Sequence, residues 1–367
     1  MRIDIVDPSA FTPPYDRALC AALARGGASV RLVTSRFAYG PVPAADGYAV
    51  SEFFYRRAAG PEGSRRRMVT KLIQHGPDMI HYRRAAAAAD VVHFQWLAVQ
   101  SLDLHLLPAR PLVLTAHDLL PREPRPGQVR AQRRLYEAVD AVVVHSEYGR
   151  SQLVERLGVE ERKVRVIHHG AFGGPAHDAV REPPPRELAP TSRPVVLFFG
   201  LLRPYKGVDV LLEAWRAIGD AELWIVGRPR MPLEPLLAAA PQRVTFVPRF
   251  VSQGELVAAF ERADLVVLPY SRTERFDQSG VLATAIGFGK PTIVSDVGGF
   301  AELAGAGAAE LVPPGDPAAL ARAIARLLGD PAERERLAAG ARAAAAGPYS
   351  WDEAARRTLE LYAELTA

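Results

Sequence analysis

Two cations spaced three residues apart at the end of an apolar run are the first chemistry this sequence offers. Residues 198–207 read FFGLLRPYKG. An apolar strand over 195–199 stops at Gly200, a short loop carries Arg203 and Lys206, and an amphipathic helix opens at Gly207. Such a crest gathers positive charge and unpaired backbone N–H groups, which suits a phosphate. Arg203 can grip two oxygens at once, while Lys206 supplies a point charge. Taken alone, the pattern is equally that of two surface cations on an ordinary strand-to-helix turn. A second segment, 277–299, reads DQSGVLATAIGFGKPTIVSDVGG. Gln278, Ser279 and Gly280 precede its apolar helix. Gly280 lets backbone approach a ligand closely, and Ser279 can cap the helix and offer its hydroxyl. That helix start would hold a second portion of negative charge, so the two segments could enclose a diphosphate. Gly298 and Gly299 read as a tight turn.

Histidines form a third group. His93, His117, His145 and His169 stand where apolar runs end, with Gln95 and Ser146 beside them. They are not spaced as metal ligands, no D-x-D occurs, and the single cysteine, Cys20, excludes an internal disulfide or a thiolate cluster. No metal and no cofactor are expected.

These residues need a scaffold of some size. The 367 residues suit two domains, and 49% hydrophobic content fills two cores. A net charge of +4 is too small to argue for nucleic acid, which is not expected as a partner. MRIDIV reads as a strand rather than a signal peptide, and no apolar run reaches the roughly 18–20 residues of a membrane span. A cytoplasmic protein is expected.

Nearly continuous apolar runs at 3–6, 30–34, 91–95, 112–116, 141–145 and 164–167 read as strands of a parallel sheet covered on both faces. Helices fit 16–25, 65–74, 128–139 and 147–157. The proline-rich stretch 181–194 reads as a linker. A second alternation follows, with strands at 195–199, 223–226, 244–247, 265–268 and 292–295. Its helices fit 208–217, 253–262, 280–287, 317–328 and 332–345, and a last helix begins near 350. The expectation is an α/β protein of two doubly wound, Rossmann-like domains facing across a cleft. Residues 1–180, joined by 350–367, form one domain and 195–349 the other. Ligands in such sheets bind at the carboxyl ends of strands.

Over nearly its whole length the chain resembles the retaining glycosyltransferases of family 4, which have the GT-B fold. FFGLLRPYKG resembles the family's diphosphate loop, LWIVG at 223–227 the next strand, and ADLVVLPY at 263–270 the strand into the donor loop. GFGKPTIVSDVGGFAE at 287–302 is similar to the signature G-K-P-V-I-A-S-D-x-G-G-x-x-E. Thr115-Ala116-His117-Asp118 resembles the family's T-x-H-D segment, and the helix after Trp351 resembles one that returns to the N-terminal domain. The resemblance implies transfer of a sugar from a UDP or GDP sugar to an acceptor hydroxyl on a small molecule, lipid or glycan, with retention and without metal. It implies a donor site in the C-terminal domain, comprising Gly200, Arg203, Lys206, Phe250, Gln278, Ser279, Gly280 and Thr284, with His117 against the donor sugar.

The chain departs from the family where two glutamates usually stand with seven residues between them. Those positions are Phe276 and Thr284. Asp277 or Glu274 then becomes the substitute sugar ligand, and Thr284 offers ribose only a neutral hydrogen bond. On the acceptor side, Tyr15 and Asp16 either face the ligand or begin a helix, with Asp16 as its cap. His93 lines the site or belongs to the core; Gln95, Ser146 and His169 are placed near the site. Arg56, Arg57, Arg65, Arg66, Arg67 and Lys71 accompany an apolar stripe of Met68, Val69, Leu72 and Ile73. That stripe either packs on the core or, with its cations, meets an anionic membrane surface peripherally or an acidic acceptor. Two rival functions stay open: a nucleotide-sugar epimerase on the same fold, and an inactive nucleotide-sugar binder.

Overall fold

The computed structural model describes residues 1–37, 42, 44–61, 63–121, 124–173, 182–273 and 277–367. Chain contacts divide it into two compact units. The first comprises Met1–Gly170, Glu274–Asp277 and Trp351–Ala367, and the second Ala171–Thr273 and Gln278–Ser350. Of the residues singled out in the sequence, Glu274 and Phe276 lie outside those described.

In the first unit, seven described strands run parallel: β1 (Arg2–Asp7), β2 (Ser29–Ser35), β3 (Ala49–Phe54), β4 (Val91–Phe94), β5 (Leu112–Thr115), β6 (Ala141–Val144) and β7 (Val164–Val166). Their order is β3-β2-β1-β4-β5-β6-β7, so the winding reverses between β1 and β4. The helices are α1 (Pro13–Arg25), α2 (Arg65–Ala85), α3 (Gln100–Asp103), α4 (Gln128–Ala138) and α5 (Glu147–Ser151). Every residue of β4, β5 and β6 is buried, as a sheet covered on both faces requires. The terminal helix Trp351–Thr366 packs on α1, where a Cβ on Gly26 would sit 2.6 Å from Leu359 Cδ1. This return of the last helix is what the resemblance implied.

The second unit holds β8 (Val195–Phe199), β9 (Glu222–Val226), β10 (Val244–Val247), β11 (Leu265–Leu268), β12 (Thr292–Ser295) and β13 (Glu310–Val312). Their order, again all parallel, is β10-β9-β8-β11-β12-β13, and the reversal falls between β8 and β11. Its helices are α6 (Val208–Trp215), α7 (Glu234–Ala239), α8 (Gln253–Arg262), α9 (Gly280–Gly287), α10 (Phe300–Gly305), α11 (Pro317–Gly329) and α12 (Pro331–Ala346). Ser252 and Glu255 form a capping box on α8, and Asp316 and Asp330 cap α11 and α12. Two parallel, doubly wound sheets thus replace the single larger sheet that a chain of this length could also have built.

The structure differs from the sequence reading in places with clear causes. β3 is an edge strand with mostly exposed or half-exposed residues, so no continuous apolar run announces it. α2 passes through Gly76 and Pro77, where the sequence suggested an end, and continues to Ala85. The stretch after α5 runs as a π-helix over Gln152–Arg156. Residues 182–194 belong to the second unit, which begins at Ala171. There Leu188 is buried and Arg249 binds Glu187 through two nitrogens at 2.9 and 3.0 Å.

Candidate active site

In the second unit the crevice at the β8/β11 reversal is built by two loops clamped to each other. Gly207 has φ +66, and a Cβ there would lie 1.8 Å from Pro269 O, so only glycine permits the approach. Ser271 N donates to Tyr205 O at 2.8 Å, and Leu202 pairs with Pro229 beyond β9. Gly200 follows β8 at φ +117. Lys206, 7% exposed, donates from Nζ to Tyr270 Oη and lies 3.8 Å from the Tyr270 ring centroid. Tyr270 Oη is in turn 3.0 Å from Ser279 Oγ. A chain Lys206–Tyr270–Ser279 therefore ties the cation to the start of α9.

This chain changes the expected role of Ser279. Its hydroxyl makes no cap on α9 and bonds to Tyr270 instead, so among the described residues no N-cap side chain occupies the first N–H groups of that helix. Gln278 Oε1 accepts from Ser279 N at 3.0 Å, while Gln278 Nε2 is buried without a hydrogen-bond partner among the described residues. Thr284 Oγ1 donates to Gly280 O at 2.8 Å; its one proton is spent inside the helix, which weakens it as a ribose ligand. Phe250, after β10, is 59% exposed. Arg203 opens the 3-10 turn Pro204–Lys206 in extended conformation. Tyr270 was missed by the sequence reading, although it closes the ADLVVLPY run.

In the first unit the strand ends gather rings. Tyr15 meets His117, His145, His169 and Trp351 at centroid distances of 4.6, 5.4, 4.9 and 5.0 Å, and His117 stacks on Trp96 at 5.1 Å. Burial pushes His145 down to about 3, His169 to about 4, and His117 well below the usual imidazole range. His145 Nδ1 stands 2.9 Å from Ile167 O, so that nitrogen carries the hydrogen and Nε2 keeps a lone pair. His117 Nδ1 lies 3.4 Å from that lone pair. Gln95 Oε1 lies 3.0 Å from His117 Nε2, and Gln95 Nε2 is buried without a hydrogen-bond partner among the described residues. A relay of contacts thus runs from Gln95 to His117 to His145 to Ile167 O, with both rings held neutral by burial.

The relay has a testable consequence. Gln95→Glu places a carboxylate against His117 Nε2, which favours a protonated ring. The wild-type His117 ring is expected to stay neutral across about pH 5–8 in nitrogen-detected NMR, and the variant ring to titrate within that range. A variant ring that never charges there would contradict the relay.

Several expected site residues are committed elsewhere. Asp277, fully buried, accepts from His145 N at 2.6 Å and from Ser146 Oγ, so its carboxylate is engaged by backbone and side-chain donors of the first unit. Ser146 also caps α5 through Gly149 N at 2.9 Å. His93 belongs to the core: Nδ1 is 2.6 Å from Tyr362 Oη and Nε2 is 2.7 Å from Thr115 Oγ1. Asp16 is buried beside Asp7, and the helix N-cap is Thr12, so Asp16 neither caps nor faces outward. Asp7 accepts from Phe11 N at 2.5 Å and Thr12 N at 3.0 Å, which shapes the first loop. His169 Nδ1 is 2.8 Å from Gly170 O.

Known proteins share both units. Residues 17–171 match the family described as Glycosyltransferase Family 4, and residues 193–330 match the one described as Glycosyl transferases group 1. A D-inositol 3-phosphate glycosyltransferase of Xylanimonas cellulosilytica is 32% identical over 76% of this chain and 72% of its own. One from Kineococcus radiotolerans is 28% identical over 94% of this chain and 88% of its own. Among solved structures, sucrose-phosphate synthase from Thermosynechococcus elongatus superposes with a TM-score of 0.74 at 22% identity, covering 100% of this chain and 99% of its own. Anabaena HepE in complex with UDP-glucose superposes at 0.71 with 20% identity, covering 99% of this chain and 100% of its own.

Proposed function

Since the chain belongs to glycosyltransferase family 4, a retaining family with the GT-B fold, we propose that it moves a sugar from a UDP or GDP sugar to an acceptor hydroxyl without a metal. The observation that carries this reading is the Lys206–Tyr270–Ser279 chain at the β8/β11 reversal. The second unit takes the donor. Arg203 and Lys206 face its diphosphate, the start of α9 with Gly280 adds N–H donors, and the exposed Phe250 ring offers a stacking face to the base. The first unit takes the acceptor at the ends of β1, β4 and β5, with Gln95, His117, Tyr15 and His169 as its walls. Acceptor classes remain small molecule, lipid or glycan.

In the reaction the bond from the anomeric carbon to the phosphate oxygen breaks, and its electron pair goes to the leaving diphosphate. The acceptor oxygen bonds to the same face of that carbon, and its proton passes to a phosphate oxygen. Negative charge grows on the diphosphate, where Lys206, Arg203 and the helix N–H groups are already in place. One such preorganised donor is commonly worth about 3–4 kcal/mol of barrier. Asp277, Ser146, Asp16 and His93 have no part in this scheme.

The test is release of nucleoside diphosphate from a panel of UDP and GDP sugars, each with and without hydroxyl acceptors. D-inositol 3-phosphate belongs in that panel, given the named relatives. Expected is acceptor-dependent release that survives a chelator, with a product of retained configuration. Isomerised donor in the absence of any acceptor would instead identify an epimerase. Binding of donor without release under any acceptor would identify an inactive binder.

A further inference from the structure

One face of α2 has no part in sugar transfer and is built unlike an ordinary solvent face. His75, Met79 and Tyr82 turn into the core, each 1% exposed or less. Met68, Val69, Leu72, Ile73 and Ile80 turn outward at 60, 45, 59, 68 and 44% exposure. The apolar stripe therefore does not pack on the core, which was one of the readings open from the sequence. Spaced one, four and five residues on from Met68, these side chains share a helix face. Exposed Arg65 and Arg66 stand at one end of it and exposed Arg83 and Arg84 at the other. Along α2 the cations are Arg65, Arg66, Arg67, Lys71, Arg83 and Arg84, and the acid is Asp78, whose carboxylate takes Tyr55 N at 2.8 Å.

We propose that this face of α2 docks on an anionic lipid bilayer, lying in the plane of its interface. Contiguous exposed apolar side chains mark an interaction surface. Cations at both ends with apolar residues between them match a helix that sinks its apolar side to the acyl boundary while arginines reach the headgroups. A second copy of the chain fits poorly, because a two-fold axis would set arginine against arginine in either helix direction. No described helix is long and apolar enough to cross a membrane, so the contact rests on the surface. Tyr55, the residue after β3, holds His75 of α2 at 2.7 Å. The first half of α2 is thereby pinned at the carboxyl edge of the sheet, the edge that also carries Gln95 and His117. The proposal goes beyond the transfer reading and does not rest on it.

The test is flotation of the whole protein with vesicles of phosphatidylcholine alone or mixed in equal parts with phosphatidylglycerol. Binding to the anionic vesicles is expected to exceed binding to neutral ones about tenfold, and to weaken in about 0.5 M salt. Leu72→Ser with Ile73→Ser, at exposed positions, is expected to reduce it about tenfold with an unchanged melting temperature. Arg65→Gln with Arg66→Gln is expected to do the same. Nucleotide release with a water-soluble acceptor should be equal in all variants; its absence throughout would count against transfer and leave the docking result standing. Indifference to phosphatidylglycerol, variants that float as well as wild type, or a concentration-dependent dimer that the serine pair abolishes would each overturn the proposal.

Discussion

Lys206→Ala is expected to lower kcat about a hundredfold or more while the protein stays folded, because a preorganised cation is lost from the growing charge of the leaving diphosphate. Lys206 is buried, and the Tyr270 hydroxyl and ring hold its ammonium at the crest of the loop. Removing it leaves Tyr270 bonded to Ser279 and the clamped backbone of Gly207 untouched. A contact made mainly in the transition state shows in kcat more than in KM. Tyr270→Phe offers a graded companion, since it keeps the cation but cuts the link to Ser279; a loss of about tenfold is expected. Rates and melting temperatures of the two variants check this directly. A folded Lys206→Ala enzyme with near-normal kcat would remove the lysine from the diphosphate.

The loop that carries Lys206 was legible because its signal is local. An apolar run, a glycine stop and two cations lie within ten residues, and the same closeness made β8, β9, β11 and α9 readable. What failed to show in the sequence depends on distant partners. Asp277 looked like a sugar ligand beside Gln278, but its carboxylate accepts from His145 and Ser146, more than 130 positions earlier. Tyr270 read as the end of a strand and gave no hint of bridging Lys206 to Ser279. His93 and Gln95 stand two residues apart with similar chemistry. Strand alternation would give both one face, but His93 lies inside β4 and meets Tyr362, whereas Gln95 stands just past the strand's end, at the relay. β3 was hidden because an edge strand need not be apolar.

The relay's burial carries a second large effect, an acid instability of the first unit. His93, His117, His145 and His169 are all held neutral by burial, with His93 and His145 down to about 3 and His169 to about 4. In the unfolded chain each takes a proton near pH 6.5. Below that pH the unfolded state binds more protons than the folded one, so stability is full above about 6.5 and falls as pH drops toward the folded values. Each imidazole contributes up to about 1.4 kcal/mol per pH unit, or roughly 5 for the four together. Asp7 and Asp16 act the other way. Burial raises both, and Asp16 is raised further by the charge of Asp7 and its hydrogen bond to it. A carboxyl pair kept protonated favours the fold at lower pH, but one shared proton offsets only about 1.4 kcal/mol per unit. The histidines win by number. With half of the remainder lost to residual solvation, about 2 kcal/mol per unit survives, a large share of the 5–15 kcal/mol that holds a domain together. Urea unfolding followed through Trp96 and Trp351 should therefore shift to clearly lower denaturant between pH 7 and pH 5. His93→Gln should flatten that dependence by about one proton. A first unit equally stable at both values would show that these imidazoles are not buried neutral, and the Gln95–His117–His145 relay would fall with them.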